Sequence, residues 1–406
     1  MRFNFGGYSL DVGRRELRRG PDLIEVEPQV FDLLIYLIEN RDRVVTKDDL
    51  IASVWGGRIV SDSTLSSRIT SARKAIGDTG DRQDLIRTMS RKGIRFVGEV
   101  RDGESQSYPG GLAIPEAVSR ETTGSQTALR QEVRFCTVSD GTRIAYASVG
   151  RGPPIIKTAN WLNHLEYDWE SPVWSHLFQA LASEHRLIRY DARGNGLSDW
   201  DVRDLSFDAF VRDLETVVEA VGLNRFALFG ISQGAAISIA YAVRHPERVS
   251  HLVLYGAFAR GRKKRGSPTE SANSEALITL IRQGWGQENP AFRQLFTSLF
   301  IPEGTDEQRT WFNDLQRITT SPENAARLRE TVDEIEVTEL LGRVKAPTLV
   351  LHCRGDAVQP FDEGRRLAAG IPGARFIALE GRNHIPLKSE PAWTRLVQEI
   401  QEFLRT

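Results

Sequence analysis

Residues 226–238 read Phe226-Ala227-Leu228-Phe229-Gly230-Ile231-Ser232-Gln233-Gly234-Ala235-Ala236-Ile237-Ser238. An apolar strand-like run, a tight turn and an alanine-rich helical run follow one another. A serine at the apex of such a turn is held in strained backbone, and the flanking glycines let strand and helix pack closely enough to push its hydroxyl outward. The stretch has the form of a nucleophile elbow. It carries chemistry only where the rest of the chain supplies a base, an acid and an oxyanion site.

Outward from the elbow, strands and helices alternate from about residue 132, which predicts a largely parallel sheet covered on both faces. Strands are expected over 133–138, 143–149, 155–159, 186–190, 226–229, 249–255, 348–352 and 376–379. Helices are expected over 171–183, 207–221, 233–244, 361–369 and 391–404. Residues from about 258 to 341 interrupt the alternation with helical patterning. As a lid they would lie over the carboxyl ends of the strands, where α/β sheets bind ligands. Their opening basic run, Arg260 with Arg262-Lys263-Lys264-Arg265, reads as a solvated loop, with a DNA contact as the alternative.

The partners that Ser232 requires follow in chain order. Asp356, in Cys353-Arg354-Gly355-Asp356, comes just past one strand, and His384, in Glu380-Gly381-Arg382-Asn383-His384, just past the last. Serine is a poor nucleophile at its free pKa. His384 would remove its proton, while Asp356 would fix the imidazole tautomer and stabilise the cation. The backbone N–H of Gln233 is one expected oxyanion donor. The other is expected from Asn160 or Trp161, in Thr158-Ala159-Asn160-Trp161-Leu162-Asn163-His164. Trp161, Tyr167 and Trp169 read equally as pocket lining or as packing. The remaining histidines show no paired metal-ligand spacing, so neither a metal nor a cofactor is expected.

Three further motifs support this reading: Asp191-Ala192-Arg193-Gly194-Asn195-Gly196-Leu197-Ser198, Arg244-His245-Pro246-Glu247-Arg248-Val249 and Ala346-Pro347-Thr348-Leu349-Val350-Leu351-His352. With them, residues 132–406 resemble the α/β-hydrolase fold over essentially their whole length. The resemblance implies a Ser232-Asp356-His384 triad and ester, lactone or amide chemistry. Many of those relatives have His-Gly in the loop after the third strand, where this chain has Asn160-Trp161.

The first hundred residues read differently. Short strand-like pieces separated by Gly6-Gly7, Gly13 and Gly20-Pro21 come first. Pro28 opens a helix with Val30, Leu33, Leu34, Leu37 and Ile38 at helical spacing, and Thr46 caps a second. A third, capped by Ser61 or Asp62, buries Leu65, Ile69, Ala72 and Ile76 and turns Ser67, Arg68, Ser71 and Lys74 outward. Residues 86–89 and 94–97 flank Ser90-Arg91-Lys92-Gly93 as a hairpin with a basic tip. Between residues 58 and 95, Arg58, Arg68, Arg73, Lys74, Arg82, Arg87, Arg91, Lys92 and Arg95 face only four acids, the electrostatic footprint of a phosphate backbone.

Glu27-Pro28-Gln29-Val30-Phe31-Asp32-Leu33-Leu34, Arg43-Val44-Val45-Thr46-Lys47-Asp48-Asp49-Leu50 and Arg73-Lys74-Ala75-Ile76-Gly77-Asp78 make residues 1–100 resemble the winged-helix effector domain of OmpR/PhoB-type regulators, including relatives like ToxR and CadC. The resemblance implies that the third helix enters the major groove of double-stranded DNA. Ser67, Arg68, Ser71 and Lys74 then lie near bases or phosphates, with Arg91 and Lys92 on the wing.

The 406 residues, 40 % hydrophobic and 26 % charged with a formal net charge of −1, describe a globular chain of two or three domains. Residues 101–131, with Pro109-Gly110-Gly111 and a Thr/Ser tract, have linker composition. No apolar run spans a membrane and the opening residues lack the layout of a secretory signal, so a cytoplasmic protein is expected. Cys136 and Cys353 do not suggest a disulfide framework and are expected to be buried and inert.

The combined expectation is a winged helix at 1–100, a linker at 101–131 and an α/β-hydrolase-like domain at 132–406. It describes a one-component regulator that senses, and turns over or merely binds, a small ester- or lactone-like effector. The alternative is a serine hydrolase, esterase or lactonase, with an autoregulatory DNA-binding module. Tandem half-sites, common for winged helices, admit a homodimer.

Overall fold

Glycine turns cut the opening strands short. In the computed structural model, which describes residues 2–12, 15–24, 26–54, 62–79, 82–89, 92–103, 131–287 and 291–406, Gly6 and Gly7 both have positive φ and reverse the chain between β1 (Arg2–Phe5) and β2 (Tyr8–Asp11). β3 (Glu16–Arg19) and β4 (Asp22–Ile24) continue the antiparallel meander. Three helices follow: α1 (Pro28–Glu39), α2 (Lys47–Val54) and α3 (Asp62–Ala75). Then come β5 (Ile86–Met89), β6 (Gly93–Phe96) and β7 (Arg101–Gly103). The chain divides into two units, Met1–Thr123 and Gly124–Thr406.

In the first unit, Val30, Phe31, Leu33, Leu34, Leu37 and Ile38 of α1 are buried together with Leu65, Ala72 and Ile76, the face that the sequence assigns to the core of α3. Thr46 caps α2 reciprocally. Its Oγ1 accepts from Asp49 N–H at 3.1 Å, and its own N–H donates to Asp49 Oδ2 at 3.0 Å. β5 and β6 form the expected hairpin, with Ile86 opposite Phe96. Residues 101–103, placed by composition at the start of the linker, instead pair with β1 and complete a sheet of order β4-β3-β2-β1-β7. Residues 104–130 lie outside the described residues.

The second unit runs β8 (Glu132–Thr137), β9 (Arg143–Val149), β10 (Pro154–Lys157), α4 (Leu165–Trp169), α5 (Ser175–Ala182), β11 (Arg186–Tyr190), α6 (Phe207–Val221), β12 (Phe226–Ile231), α7 (Gln233–Arg244) and β13 (Val249–Tyr255). Four helices then intervene: α8 (Pro268–Gly284), α9 (Ala291–Phe300), α10 (Asp306–Thr319) and α11 (Pro322–Glu334). The chain closes with β14 (Thr348–Cys353), α12 (Phe361–Gly370), β15 (Arg375–Leu379) and α13 (Trp393–Leu404).

The eight strands stand in the order β15-β14-β13-β12-β10-β11-β9-β8, parallel except where β9 meets β11 and β8. From β10 the chain steps to β11 on one side and returns to β12 on the other, so strand order reverses between β10 and β12. That is the place where open α/β sheets bind ligands. β12 is buried at every residue, as a strand covered on both faces must be.

Two further departures from the sequence expectations lie between β10 and β11. The helix expected from residue 171 begins at Ser175, because Ser171 Oγ first accepts from Trp174 N–H at 2.7 Å and closes a separate turn. The short α4 was not anticipated. Its cap is His164, whose Nδ1 accepts from Tyr167 N–H at 3.3 Å.

Candidate functional site

The elbow is strained as the sequence requires. Ser232 has φ 54° and ψ −126°, a conformation that side chains other than glycine's adopt only when their surroundings impose it. Its N–H is held by Tyr255 O at 3.0 Å. A Cβ at Gly230 would stand 2.5 Å from Ala235 Cα, and one at Gly234 2.9 Å from Ala159 O. Both glycines are therefore required by close packing of β12, α7 and the loop after β10.

Asp356 follows β14 and His384 follows β15. Nδ1 of His384 lies 2.7 Å from Asp356 Oδ2, and both side chains are 1 % exposed. Asp356 Oδ1 accepts from the backbone N–H groups of Val358 and Gln359 at 2.8 and 3.0 Å. Burial alone would push this carboxyl's pKa up. The facing imidazoles and the Gln359 N–H outweigh it and hold the group below the ordinary carboxylate value, so it is ionised. An ionised Asp356 accepts from Nδ1–H and leaves Nε2 of His384 as the basic nitrogen. That Nε2 is buried and has no hydrogen-bond partner. Gly256 (φ +52°) makes room for the pair, since a Cβ there would lie 3.1 Å from His384 Cε1.

A second imidazole touches the same acid. His352 Nε2 is 3.7 Å from Asp356 Oδ2 and 3.0 Å from Gln359 O, to which it donates. Burial lowers its pKa and keeps it neutral. The sequence reading gave His352 no role. Its spacing of four residues before the acid was the available signal.

Asn160, Trp161 and Gln233 are all buried near the reversal of strand order. Gln233 opens α7, so its N–H belongs to a helix N-terminus, where partial positive charge gathers. Asn160 Nδ2 donates to Trp161 O at 3.1 Å, and Leu162 follows with φ 55°. Trp161 Nε1 and Gln233 Oε1 are buried without partners. The aromatic side chains of this region pack. Trp161 meets Trp285 edge-on at 5.9 Å, Tyr167 stacks on Trp311 at 4.9 Å, and Trp169 stacks on Phe178 at 6.5 Å.

The lid is tied to the base and to the residue before it. Phe300 O, at the end of α9, accepts from His384 N–H at 2.8 Å, and Asn383 Oδ1 accepts from Glu303 N–H at 2.9 Å. The basic run that opens the lid is ion-paired within its own unit, while Lys264 stays exposed. Arg260 pairs with Glu363 at 2.8 Å, Lys264 with Glu334 at 2.9 Å, and Arg265 with Glu270 at 3.2 Å and with Gln359. Arg262 donates to Val358 O, and burial lowers its pKa to about 10. Cys353 is buried as expected, but Cys136 is only half-buried; burial pushes the Cys136 thiol up to about 11 and that of Cys353 to about 12. Among the described residues, no group of three or more His, Cys, Asp or Glu side chains is placed to hold a metal ion, and no helix is long and apolar enough to cross a membrane.

In the first unit Ser67, Lys74 and Lys92 are exposed and Ser71 is half-buried. Arg68 forms an ion pair with Glu27, while Arg91 lies outside the described residues. The neighbouring Arg73 is buried and structural, donating to Ile86 O and to Thr88 Oγ1. Asp78 accepts from the N–H groups of Thr79, Asp84, Leu85 and Ile86. Burial opposes its charge, but these donors prevail and lower its pKa. Together Arg73 and Asp78 fasten the end of α3 to the hairpin.

The family described as the alpha/beta hydrolase fold matches residues 164–391, and that described as transcriptional regulatory protein, C terminal, matches residues 21–96. The AB hydrolase superfamily protein YisY of Bacillus subtilis is 26 % identical over 238 residues, 58 % of this chain and 86 % of that protein. Pyrrolizixenacetamide deacetylase of Xenorhabdus hominickii is 28 % identical over 243 residues, 58 % of this chain and 86 % of its own. Among solved structures, an esterase from Exiguobacterium antarcticum superposes with a TM-score of 0.57 at 22 % identity, covering 67 % of this chain and 99 % of that one. The esterase RhEst1 from Rhodococcus superposes with 0.55 at 27 %, covering 68 % and 98 %.

Proposed function

This chain belongs to the α/β hydrolase fold family, and because residues 21–96 also match the transcriptional regulatory protein model, we propose that it is a cytoplasmic one-component transcription regulator whose hydrolase unit recognises a small ester- or lactone-like effector. The winged helix binds double-stranded DNA through Ser67, Arg68, Ser71 and Lys74 on α3 and Arg91 and Lys92 on the wing, and two copies occupy tandem half-sites. An effector alters DNA affinity only by binding one conformational state better than another. The ties from the lid to Asn383 and His384 favour such states, because an effector that moves α9 also moves the base.

The observation that carries the chemical part is the strained Ser232 on a sheet that also presents the 2.7 Å His384–Asp356 pair at its carboxyl edge. In the proposed reaction Ser232 Oγ gives its proton to His384 Nε2 and bonds to the carbonyl carbon. The carbonyl π pair moves onto oxygen, facing Gln233 N–H and a donor from Asn160 or Trp161. Collapse expels the alkoxide, which takes the proton from His384 and leaves an acyl-serine. Water, deprotonated by His384, releases the acid and restores Ser232. The deacetylase and esterase names of the relatives fit acyl chemistry of this kind.

The intact pair equally favours a second reading, a serine hydrolase (esterase or lactonase) with an autoregulatory DNA-binding module. Ser232→Ala separates the two. In a sensor, duplex binding by the variant still responds to an ester such as p-nitrophenyl butyrate while hydrolysis is lost. If that response disappears although the ester still binds, turnover is part of the signal. A full-length chain that protects no duplex in a selection from random sequence removes the regulator reading.

A further inference from the structure

Four charged side chains lie buried beneath the loop joining β10 to α4. Lys157 and Arg189 are neighbours in register on β10 and β11, and Asp168 and Asp191 balance them; none is more than 4 % exposed. Buried charges are a costly way to hold a fold, and apolar residues of similar volume often serve as well or better. Their contacts therefore indicate their use, and all four reach residues 160–165, which carry the loop into α4. Lys157 Nζ donates to Asn160 Oδ1. Asp191 accepts from Asn163 Nδ2 at 2.6 Å and from Leu165 N–H at 3.1 Å. Asp168 accepts from His164 N–H at 3.0 Å, and Arg189 donates to Leu165 O at 2.9 Å.

Lys157 holds the most consequential of these contacts. The amide that it fixes donates in turn to Trp161 O at 3.1 Å, which sets the peptide plane leading into Leu162. Leu162 has φ 55°, and a leucine rests in the left-handed region only where its neighbours hold it. We propose that Lys157 is a positioning residue which, through the Asn160 side chain, fixes the 160–162 backbone as the second oxyanion donor opposite Gln233. The inference rests on the serine-hydrolase chemistry proposed for the same site. Without the ammonium, Asn160 Oδ1 would be buried and unpaired, and the amide would turn away from Trp161 O to find a donor. Displacing a catalytic group by about 1 Å costs on the order of 100-fold in rate.

The test uses full-length Lys157→Met and Asn160→Ala. Each is labelled to completion with a fluorescent fluorophosphonate to count competent serines, and kcat and KM for p-nitrophenyl butyrate are expressed per labelled site. The expected result is a kcat lowered about 10- to 100-fold in both variants, with KM changed by less than about threefold. Affinity for phenylboronic acid, which forms a tetrahedral adduct, should weaken in parallel. Should Lys157→Met fail to fold, Asn160→Ala decides, because it removes the amide through which Lys157 acts while all four charged side chains stay in place. Wild-type kcat per labelled site, or a loss confined to KM, overturns the inference. A wild-type protein inert to both fluorophosphonate and ester removes the hydrolytic reading and this role with it.

Discussion

Ser232 concentrates the conflict between stability and chemistry in one residue. Its φ of 54° is one that glycine adopts freely, so the side chain is kept at a cost of about 1–3 kcal/mol. Ser232→Gly removes that strain and adds about 0.5–1 kcal/mol of unfolded-state entropy. The expected outcome is a net stabilisation of about 1 kcal/mol, read as a Tm raised by about 2–4 °C in calorimetry, together with complete loss of ester turnover. A lowered Tm would show that the serine is not strained in solution. His352 makes a complementary point, since a neutral imidazole donating to Gln359 O steadies the turn whose N–H groups hold Asp356. Only the fold shows that this histidine and the acid share one contact.

Among the elements, α4 depends most on a single ionisation. Its cap is the neutral imidazole of His164, and burial lowers that group's pKa to about 4, against about 6.5 for a histidine in an unfolded chain. Between these values the unfolded state binds the additional proton, so stability falls as pH drops from about 6.5 to about 4. Asp168 and Asp191, raised by burial, act in the opposite sense over part of that window. The diagnostic is therefore the difference between wild type and His164→Asn, which keeps a capping oxygen but cannot titrate. Chemical denaturation should show the variant losing less stability on acidification, by up to about 3 kcal/mol. Parallel pH profiles would exclude a protonation-sensitive cap.

Much of the sheet and of its covering helices was legible because the elements have a clean period. β9, β11, α6 and α7 have the bounds expected from their apolar spacing. α4 was not legible because five residues are too few to show a period, and its cap is a histidine rather than Ser, Thr, Asp or Asn. The pairing of the basic run 260–265 was not legible, for a different reason. Charge in sequence suggests solvent, while its partners Glu270, Glu334, Gln359 and Glu363 are separated from it along the chain.

At the scale of the whole molecule, each unit has its own apolar core, one built from residues between Phe3 and Phe96 and the other from residues between Val138 and Phe403. The proposed function joins them through DNA affinity. Binding of a mixed-sequence duplex by the full chain should weaken steeply with salt, and Lys74→Ala with Lys92→Ala should reduce the slope of log K against log salt by about 2, close to 0.9 per lost phosphate contact. An unchanged slope would take DNA contact away from these exposed lysines. Phosphate contact by Arg68 further requires that its pair with Glu27 open, so its share of binding should be smaller than that of Lys74.

The sequence by itself determined the two fold classes and marked Ser232, Asp356 and His384 as candidates, because hydrophobic periodicity, glycine spacing and chain order are local properties written in consecutive residues. Tertiary structure alone decided which charges are available. Arg68 and the 260–265 run are paired across the fold, Lys157 is buried beneath a loop it braces, and His352 stands against the acid. Ion pairs and hydrogen bonds form between residues brought together by packing, and linear order carries no record of that proximity.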